Sequence, residues 1–341
     1  MSGPSPARRA IDVTGPGASV VWLVLRRILV AIVILFAVLT IDFALLELAP
    51  GEPFAGSEDT VEEEVELRKL YGLDRPATER YSEWILGIVT SFDLGWSLLR
   101  HEPVTDVLAD ALPNTLLLTL TAFVLQLGLG VAIGTFAALR RGTATDGAIR
   151  VTSLALYSTP SFYLGILLLY VFAGGVFQIA PGGGMEDVRR GVPLQGMDLW
   201  LERLRHLVLP AITLALGGAA AWARFVRGEV LDVIRQDFIL AARARGIGEK
   251  RILIRHVLRA AFLPILTLLG LSLPFLVGGA VIVESVFGWP GLGQLAVRSV
   301  FARDAALFLG ISLVLATMVL AGNLLADLLY LAFDPRTRRA R

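Results

Sequence analysis

Six long stretches of the chain carry very few charged residues and are rich in Leu, Val, Ile, Ala and Phe. Each is long enough to cross a hydrocarbon core of roughly 30 Å, which takes about 20 helical residues. A backbone in lipid must satisfy its own hydrogen bonds, and long apolar runs favour helices over the short alternating strands of a barrel. The pattern predicts an all-α, polytopic membrane protein with six transmembrane helices. The predicted spans are 20–48, 112–139, 148–177, 207–226, 262–287 and 305–333.

Three segments outside these spans have patterns of their own. Residues 1–19 are rich in Pro, Gly and Ser and are expected to be disordered on the cytoplasmic side. Residues 49–111 form an acidic outer segment, in which short helices are predicted over 60–71 and 78–88. Residues 227–261 form a basic loop with a helical pattern. The first span is expected to remain as an anchor, because its apolar run is longer than the h-region of a signal peptide.

The distribution of positive charge predicts the orientation. An even number of spans puts both termini on one side, and most of the 31 Lys and Arg residues then fall on that side. They are Arg8, Arg9, Arg26, Arg27, Arg140, Arg141, Arg150, nine residues between 224 and 259, Arg336, Arg338, Arg339 and Arg341. By the positive-inside rule, both termini are predicted to be cytoplasmic in a multi-pass protein of the inner membrane.

Composition excludes several other classes. The formal net charge of +1 gives no overall field for binding nucleic acid. There is no cysteine, and the three histidines lie far apart in the sequence, so we expect no metal site. The sequence lacks the His-Glu-x-x-His and Gly-x-Ser-x-Gly patterns of hydrolases, so we expect a protein that is not an enzyme.

The stretch from residue 237 to residue 264 has the pattern of a short helix, a turn and a second helix. Asp237 is expected to cap the first helix, in which Ala241 and Ala242 leave a slim surface. Gly246 and Gly248 predict a sharp turn before the second helix, which is expected to begin near residue 249. Such a hairpin suits docking into a groove of a soluble partner. The alternative is that its arginine stripe only touches lipid headgroups.

This stretch resembles the coupling loop of bacterial ABC importer permeases, in which Glu-Ala-Ala is followed after three residues by Gly. Ala241, Ala242 and Gly246 match in register, whereas Leu240 stands at the glutamate position and the proline is displaced to Pro264. These departures are similar to the variant of the oligopeptide, dipeptide and nickel branch. The resemblance implies that a small set of residues contacts an ATPase subunit: Ala241, Ala242, Arg243, Arg245, Gly246 and Gly248.

Further motifs, in the same order along the chain, resemble the B-type permeases of that branch, and the likeness covers about residues 24 to 338. They are Leu48-Ala49-Pro50-Gly51-Glu52-Pro53, residues 70–76, Asp93-Leu94-Gly95-x-Ser97, Leu112-Pro113-Asn114-Thr115, residues 158–162, residues 287–293 and Asp334-Pro335-Arg336. The resemblance implies the transmembrane domain of a type I ABC importer.

The implied function is inward, binding-protein-dependent transport of di- or oligopeptides, with nickel or another small solute as the alternative. The implied partners are a second permease subunit, two ATPase subunits that bind ATP and Mg²⁺, and an external solute-binding protein. The chain has no Gly-x-x-x-x-Gly-Lys-Ser/Thr loop of its own, so we expect it to bind no cofactor and to take energy from a partner or an ion gradient. A gradient-driven secondary transporter is therefore a second alternative, although the inverted repeats of that class are not evident.

Polar residues inside predicted spans are candidates for the translocation path, because their burial in lipid is costly. Asn114, Gln126 and Glu284 belong to this group, and hydrogen bonding between helices is the alternative for each. Pro160 predicts a kink in the third span, with hydroxyls nearby to satisfy the freed carbonyls. Its neighbours Ser158, Ser161 and Phe162 are the remaining path candidates.

Overall fold

A computed structural model describes residues 18–49, 74–187 and 194–333. Several sequence predictions lie outside these residues: the disorder of residues 1–17, the helix over 60–71, the motif at 50–53 and the motif at 334–336. Helix α1 begins at Ala18, which is inside the segment predicted to be disordered.

The described chain is almost entirely helical. One small antiparallel pair of strands, β1 (Trp96–Ser97) and β2 (Glu102–Pro103), lies in the segment before α3. In chain order the helices are α1 (Ala18–Leu48), α2 (Ala77–Ser91), α3 (Val104–Leu139), α4 (Ala144–Ser158), α5 (Ser161–Leu169) with a π-helical turn at Tyr170–Gly174, α6 (Gly196–Ile234), α7 (Asp237–Ala244), α8 (Glu249–Ile252) with a π-helical turn at Leu253–Val257, α9 (Leu258–Phe287), α10 (Leu292–Phe301) and α11 (Ala305–Phe333).

Four described helices are long and apolar enough to cross a membrane: α1, α3, α6 and α11. Two bent pairs raise the number to six if each pair counts as one span. The first pair is α4 with α5, and the second joins the end of α9 to α10. The prediction of an all-α, multi-pass membrane protein is confirmed.

The third predicted span is bent sharply. Helix α4 ends at Ser158, α5 starts at Ser161, and the two axes meet at 102°. Pro160 has no N–H to donate, and the hydroxyl of Thr159 turns back to the carbonyl of Ala155 at 2.8 Å. The kink predicted at Pro160 is therefore present, and it is large enough to separate two helices.

Helix α6 runs from Gly196 to Ile234 and is longer than the span predicted over 207–226. Its first turns carry charged residues that lower the hydropathy of the window, but these residues do not interrupt the helix. At its other end α6 continues into the segment predicted as a loop from residue 227. A buried face that runs from Glu202 to Val233 supports the helix on both sides of the predicted span.

The bundle has two ends, which α9 connects over 30 residues. We call the end that carries residues 235–257 the hairpin end and the opposite end, with residues 287–304, the clasp end. Separate buried clusters fill the two ends. The hairpin-end cluster includes Val230 and Ile252, and a clasp-end cluster includes Leu118 and Trp289.

Helices α3 and α6 approach each other closely along a seam of small residues. A Cβ added at Gly130 would lie 2.3 Å from the Cβ of Trp222, and one added at Gly134 would lie 2.5 Å from the carbonyl oxygen of Ala223. Gly130 and Gly134 are four residues apart, the small-xxx-small spacing that lets membrane helices pack backbone to backbone. The seam therefore packs α3 and α6 closely along their facing sides.

Adding one methyl group to the seam should destabilise the protein. Gly134→Ala is expected to lower the unfolding free energy by about 1–3 kcal/mol, because the new Cβ meets the backbone of α6. The matched control is Gly128→Ala, whose Cβ meets none of the described residues within 4 Å and which gains helix propensity. Thermal unfolding of the purified protein in detergent checks both variants. Equal melting temperatures for the two variants would contradict the close-packed seam.

Candidate functional site: an inner hairpin and an outer clasp

The hairpin consists of α7, the turn at residues 245–248 and α8. Gly246 has a φ of +74°, a left-handed conformation that favours glycine, and its N–H donates to the carbonyl of Arg243 at 2.9 Å. The N–H of Ile247 donates to the carbonyl of Ala242 at 3.3 Å and closes the turn. The predicted sharp turn and the second helix at Glu249 are both present. Asp237 is the first helical residue, so the prediction that it caps α7 is wrong; the cap position belongs to Gln236.

One face of the hairpin is buried against the bundle and the other is open. Ile239 and Ala242 of α7 and Ile252 of α8 belong to the buried cluster that includes Val230 and Val233 of α6. The sequence-predicted coupling residues Ala241, Arg243, Arg245, Gly246 and Gly248 are exposed, and Ala242 is the buried exception. A displacement of the hairpin would therefore act directly on α6.

An ion pair stiffens the hairpin across its turn. The guanidinium of Arg243 donates two hydrogen bonds to the carboxylate of Glu249, at 2.7 and 3.2 Å. This contact lowers the pKa of the Glu249 carboxyl below its ordinary value, so the pair persists when the surroundings become mildly acidic. The pair lies on the exposed side, where it fixes the shape of the turn without anchoring it to the bundle.

A second ion pair joins α4 to α6 near the hairpin end. Arg227 donates to both carboxylate oxygens of Asp146, at 2.7 and 2.8 Å, and the Asp146 side chain is only 3% exposed. The same carboxylate accepts the N–H of Gly142 at 3.1 Å, while the hydroxyl of Thr143 caps α4 by accepting the N–H of Asp146. Sequence analysis missed this pair, although the Thr143-x-x-Asp146 spacing is a helix-start signal.

Glu284 organises the clasp end. Its carboxylate is completely buried near the end of α9 and accepts hydrogen bonds from the N–H groups of Gly293 and Gln294, at 2.7 and 3.1 Å. These donors belong to the first turn of α10, whose free N–H groups and dipole favour a negative group. Glu284 therefore caps a helix other than its own.

Helix α3 joins the same contact through two adjacent residues. Thr115 donates its hydroxyl to Glu284 at 2.8 Å and accepts the N–H of Leu292 at 2.8 Å. The side-chain amide of Asn114 donates to the carbonyl of Pro290 at 2.9 Å. The backbone carbonyl of Asn114 accepts the indole N–H of Trp289, also at 2.9 Å. We call this set of contacts between residues 114–115, Glu284 and residues 289–294 the clasp.

Two glycines make room for the clasp. A Cβ at Gly291 would lie 2.5 Å from the Glu284 carboxylate, and a Cβ at Gly293 would lie 2.4 Å from the Cα of Val281. Gly288, with a φ of +62°, ends α9 in a left-handed turn. The glycines of the 287–293 motif are therefore explained by close approach and by backbone conformation.

A third buried carboxylate starts α11 beside the clasp. Asp304 accepts the N–H of Leu307 at 3.0 Å, as a helix cap does, and its other oxygen accepts the hydroxyl of Ser97 at 2.6 Å and the N–H of Leu99 at 3.0 Å. The contact joins the β1–β2 segment to the N-terminal end of α11. It accounts for the serine of the 93–97 motif.

The candidate path residues do not form one group. The structure brings Asn114 and Glu284 together in the clasp, where both make contacts between helices. Gln126 is buried in the α3–α6 seam, where a Cβ at Gly218 would lie 1.8 Å from its side-chain oxygen. Ser158, Ser161 and Phe162 lie at the α4–α5 bend, and Phe162 is 47% exposed.

The fold and these contacts define a class of protein, a multi-pass bundle of apolar helices. One end of the bundle carries a helical hairpin with a glycine turn, and at the other end buried side chains cap the helix that follows a break. The fold is that of the membrane chain of an ABC transporter. A solved chain of the MetNI methionine ABC transporter, in an inward-facing conformation, matches with a TM-score of 0.53 and 19% identity. The match covers 67% of this chain and 97% of that chain.

Comparison of sequences gives the particular family. Residues 130–339 match the family described as binding-protein-dependent transport system inner membrane component, and residues 20–119 match its N-terminal region. The chain is 36% identical to the oligopeptide transport system permease protein AppB of Bacillus subtilis, over 92% of this chain and 98% of AppB. A putative peptide permease of Brucella ovis is 37% identical over 92% and 98%. The glutathione transport system permease protein GsiC of Escherichia coli is 35% identical, again over 92% and 98%.

The chain therefore belongs to the family of binding-protein-dependent transport system inner membrane components. It is a permease subunit of an ABC importer, and the predicted resemblance to this family is confirmed. Proteins of this family work with ATPase and other subunits.

The hydroxyl of Thr115 should contribute more to the unfolding free energy than the hydroxyl of a neighbouring buried threonine. Thr115→Val leaves the N–H of Leu292 without its partner and removes a donor from Glu284, so we expect a loss of about 1–3 kcal/mol in unfolding free energy. Thr119→Val is the control, because that buried hydroxyl bonds only to carbonyls of its own helix. Thermal unfolding measures both. A loss that is no larger for Thr115→Val than for Thr119→Val would contradict the clasp.

Proposed function

We propose that this chain carries di- or oligopeptides inward across the cytoplasmic membrane, as one half of a heterodimeric pore. Three relatives of nearly equal length support this substrate class, because their names refer to oligopeptides, peptides and glutathione, which is itself a tripeptide. Nickel or another small solute is the alternative cargo, and an external binding protein would select among them.

Energy is proposed to come from two separate ATPase subunits that bind ATP and Mg²⁺. The observation that carries this proposal is the hairpin, which is tied to the bundle on one face and presents Gly246 and Gly248 on the other. A Cβ at either glycine meets nothing within 4 Å among the residues that the structure describes, so these residues leave the space around the turn free for a partner. Closure of the ATPases would push the hairpin, and the closely packed α3 and α6 would move as one unit and carry the movement to the clasp.

The orientation follows from this arrangement. The hairpin end would face the cytoplasm, with both termini on that side, and the clasp end would face the binding protein. Arginine supports this orientation because it is concentrated in the hairpin and the adjoining helix ends. The clasp would then act as part of an outer gate, with Asn114 and Glu284 holding it shut rather than touching cargo. Gln126, Ser158, Ser161 and Phe162 remain candidates for the path itself.

Uptake in cells tests the substrate. Deleting the gene for this chain in its own host should abolish uptake of labelled di- and oligopeptides and leave nickel uptake unchanged. Uptake should also stop when ATP is depleted while the ion gradients are maintained. Loss of nickel uptake alone would favour the alternative cargo, and uptake that persists without ATP would contradict an ATP-driven importer.

Gly248 allows a test of coupling that does not disturb the fold. Its φ of −64° suits any residue, and a Cβ there meets none of the described part of the chain within 4 Å, so Gly248→Trp should leave the melting temperature and the membrane level unchanged. A bulky side chain at the partner surface should nevertheless lower peptide uptake at least roughly tenfold, the effect of about 1.4 kcal/mol of lost interaction. Gly128→Trp is the control, since this exposed glycine lies on a membrane-spanning helix. Normal uptake by the Gly248→Trp variant would rule out docking at the turn.

A further inference from the structure

Helices α1 and α11 are separated by a groove that the transport proposal does not use. The two helices run antiparallel. Towards the clasp end the hydroxyl of Ser312 donates to the carboxylate of Asp42, and towards the hairpin end Arg27 pairs with Asp327. From this ion pair inward the helices leave a groove of about 770 Å³, lined mainly by Ile, Val, Leu and Ala side chains of both helices.

Helix α1 has further contacts near the clasp end, where α2 lies against it. The hydroxyls of Thr40 and Tyr81 lie 2.6 Å apart, and the guanidinium of Arg80 donates to both carboxylate oxygens of Glu47, at 2.7 and 2.6 Å. The ion pair to α11 holds the other end of the helix. The described contacts therefore fix α1 at both ends of the groove and leave the groove itself open.

The polarity of the lining changes in one direction along the groove. Arg26, Arg27 and Asp327 lie at the hairpin end. The amide of Asn323 follows one helical turn further in, and beyond it the lining is apolar except for Thr317. A cation, then an amide, then apolar side chains match the order of phosphate, glycerol esters and acyl chain in a phospholipid. The lining is therefore complementary to one lipid molecule along its length.

The charge at the mouth of the groove selects the headgroup. Asp327 is paired with Arg27, whereas Arg26 is exposed and has no carboxylate partner among the described residues. The mouth therefore keeps one positive charge, on a guanidinium whose N–H donors suit a phosphate group. A zwitterionic headgroup would bring a second cation close to Arg26. An anionic headgroup is the better match.

The dimensions of the groove favour a lipid over another helix. Thr317 and Asp327 are ten residues apart, about 15 Å along the helix axis, which is half of a hydrocarbon core of roughly 30 Å. A helix of that length and about 10 Å in diameter would occupy roughly 1,200 Å³, more than the groove offers. An extended acyl chain is narrower. It would also restore the dispersion contacts that an unfilled apolar groove lacks.

We propose that one anionic phospholipid occupies the groove between α1 and α11. Its phosphate contacts Arg26, its glycerol esters lie near the amide of Asn323, and one acyl chain follows the apolar lining. The lipid fills the gap between the two helices and holds α1 against α11. With the hairpin end facing the cytoplasm it belongs to the inner leaflet, and the site does not depend on the cargo.

Photo-cross-linking tests the site in the assembled transporter, reconstituted in vesicles of phosphatidylcholine. Phosphatidylglycerol or phosphatidylcholine with a photoreactive group in one acyl chain is added in trace amounts, and mass spectrometry locates the cross-linked residues. Cross-links to residues 28–35 and 317–326 are expected to be about fivefold more abundant with phosphatidylglycerol, the effect of one cation on an anionic headgroup. Inorganic phosphate should not compete. Equal yields from both lipids, competition by phosphate or no cross-link in the groove would overturn the proposal.

One pair of variants tests the headgroup contact. Arg26→Gln should lower the yield from phosphatidylglycerol to that from phosphatidylcholine, while the Arg27–Asp327 pair stays intact. Arg141→Gln is the control, because it removes an exposed positive charge from the same end of the bundle but outside the groove. An Arg26→Gln protein that keeps the preference for phosphatidylglycerol, or an Arg141→Gln protein that loses it, would contradict the assignment.

A second pair of variants tests the acyl-chain contact. Ala321 is exposed and lines the groove, so Ala321→Phe should fill the groove and lower the cross-linking of both lipids there. Leu325→Phe is the control, because Leu325 is exposed on the same helix outside the lining. Equal cross-linking in the two variants would show that the acyl chain lies elsewhere. The readout is lipid binding, so it is independent of transport.

Discussion

Helix ends that lie in or beside a bilayer have free N–H groups, and at the clasp end of this chain buried side chains supply the missing acceptors. Glu284 of α9 caps α10, and Thr115 of α3 completes that cap. Asp304 caps α11 and holds Ser97 with the same carboxylate. Because each cap joins two elements, the polar contacts that make broken helices tolerable also fix how the helices are arranged at the clasp end.

The α3–α6 seam connects this end to the hairpin. Its small residues let the two backbones approach closely at Gly130 and Gly134, and the side chain of Gln126 packs against Gly218 in the same seam. At the hairpin end α6 contacts the buried face of α7 and α8, and Arg227 of α6 holds Asp146 of α4. At the clasp end α3 contributes Asn114 and Thr115, and α6 contributes His206, whose Nδ1 atom lies 3.1 and 3.2 Å from the carbonyl oxygens of residues 183 and 184. The closely packed α3–α6 pair therefore reaches both places where partners are proposed to act.

The sequence allowed the membrane helices to be predicted because lipid imposes a simple rule of length and hydropathy. It also indicated the Gly246 turn and the break at Pro160, since both follow from local backbone preferences. The seam was missed although Gly130 and Gly134 have a recognisable spacing. The clasp was missed for a different reason: Thr115 and Glu284 are far apart in sequence, and only packing brings their side chains to 2.8 Å. The same holds for Arg227 and Asp146 and for the carbonyls that face His206.

The predicted span of α6 was too short because the first turns of the helix carry charged residues. Glu202, Arg203 and His206 lowered the hydropathy of the window, but each has a partner in the folded chain. A helix whose polar residues are paired extends beyond the apolar run that identifies it. The polarity of Asn114 and Glu284 suggested a path for cargo, and the contacts of both residues in the structure match the alternative, hydrogen bonding between helices.

The central claim is that α3 and α6 move as one unit when the hairpin is pushed. Pairs of spin labels in the assembled transporter test it directly, with Val124→Cys on α3 combined in turn with Val208→Cys on α6 and with Leu325→Cys on α11, all three of which are exposed positions. Addition of ATP should leave the distance from α3 to α6 unchanged and shift the distance from α3 to α11. A shift between α3 and α6, or no shift between α3 and α11, would contradict the account.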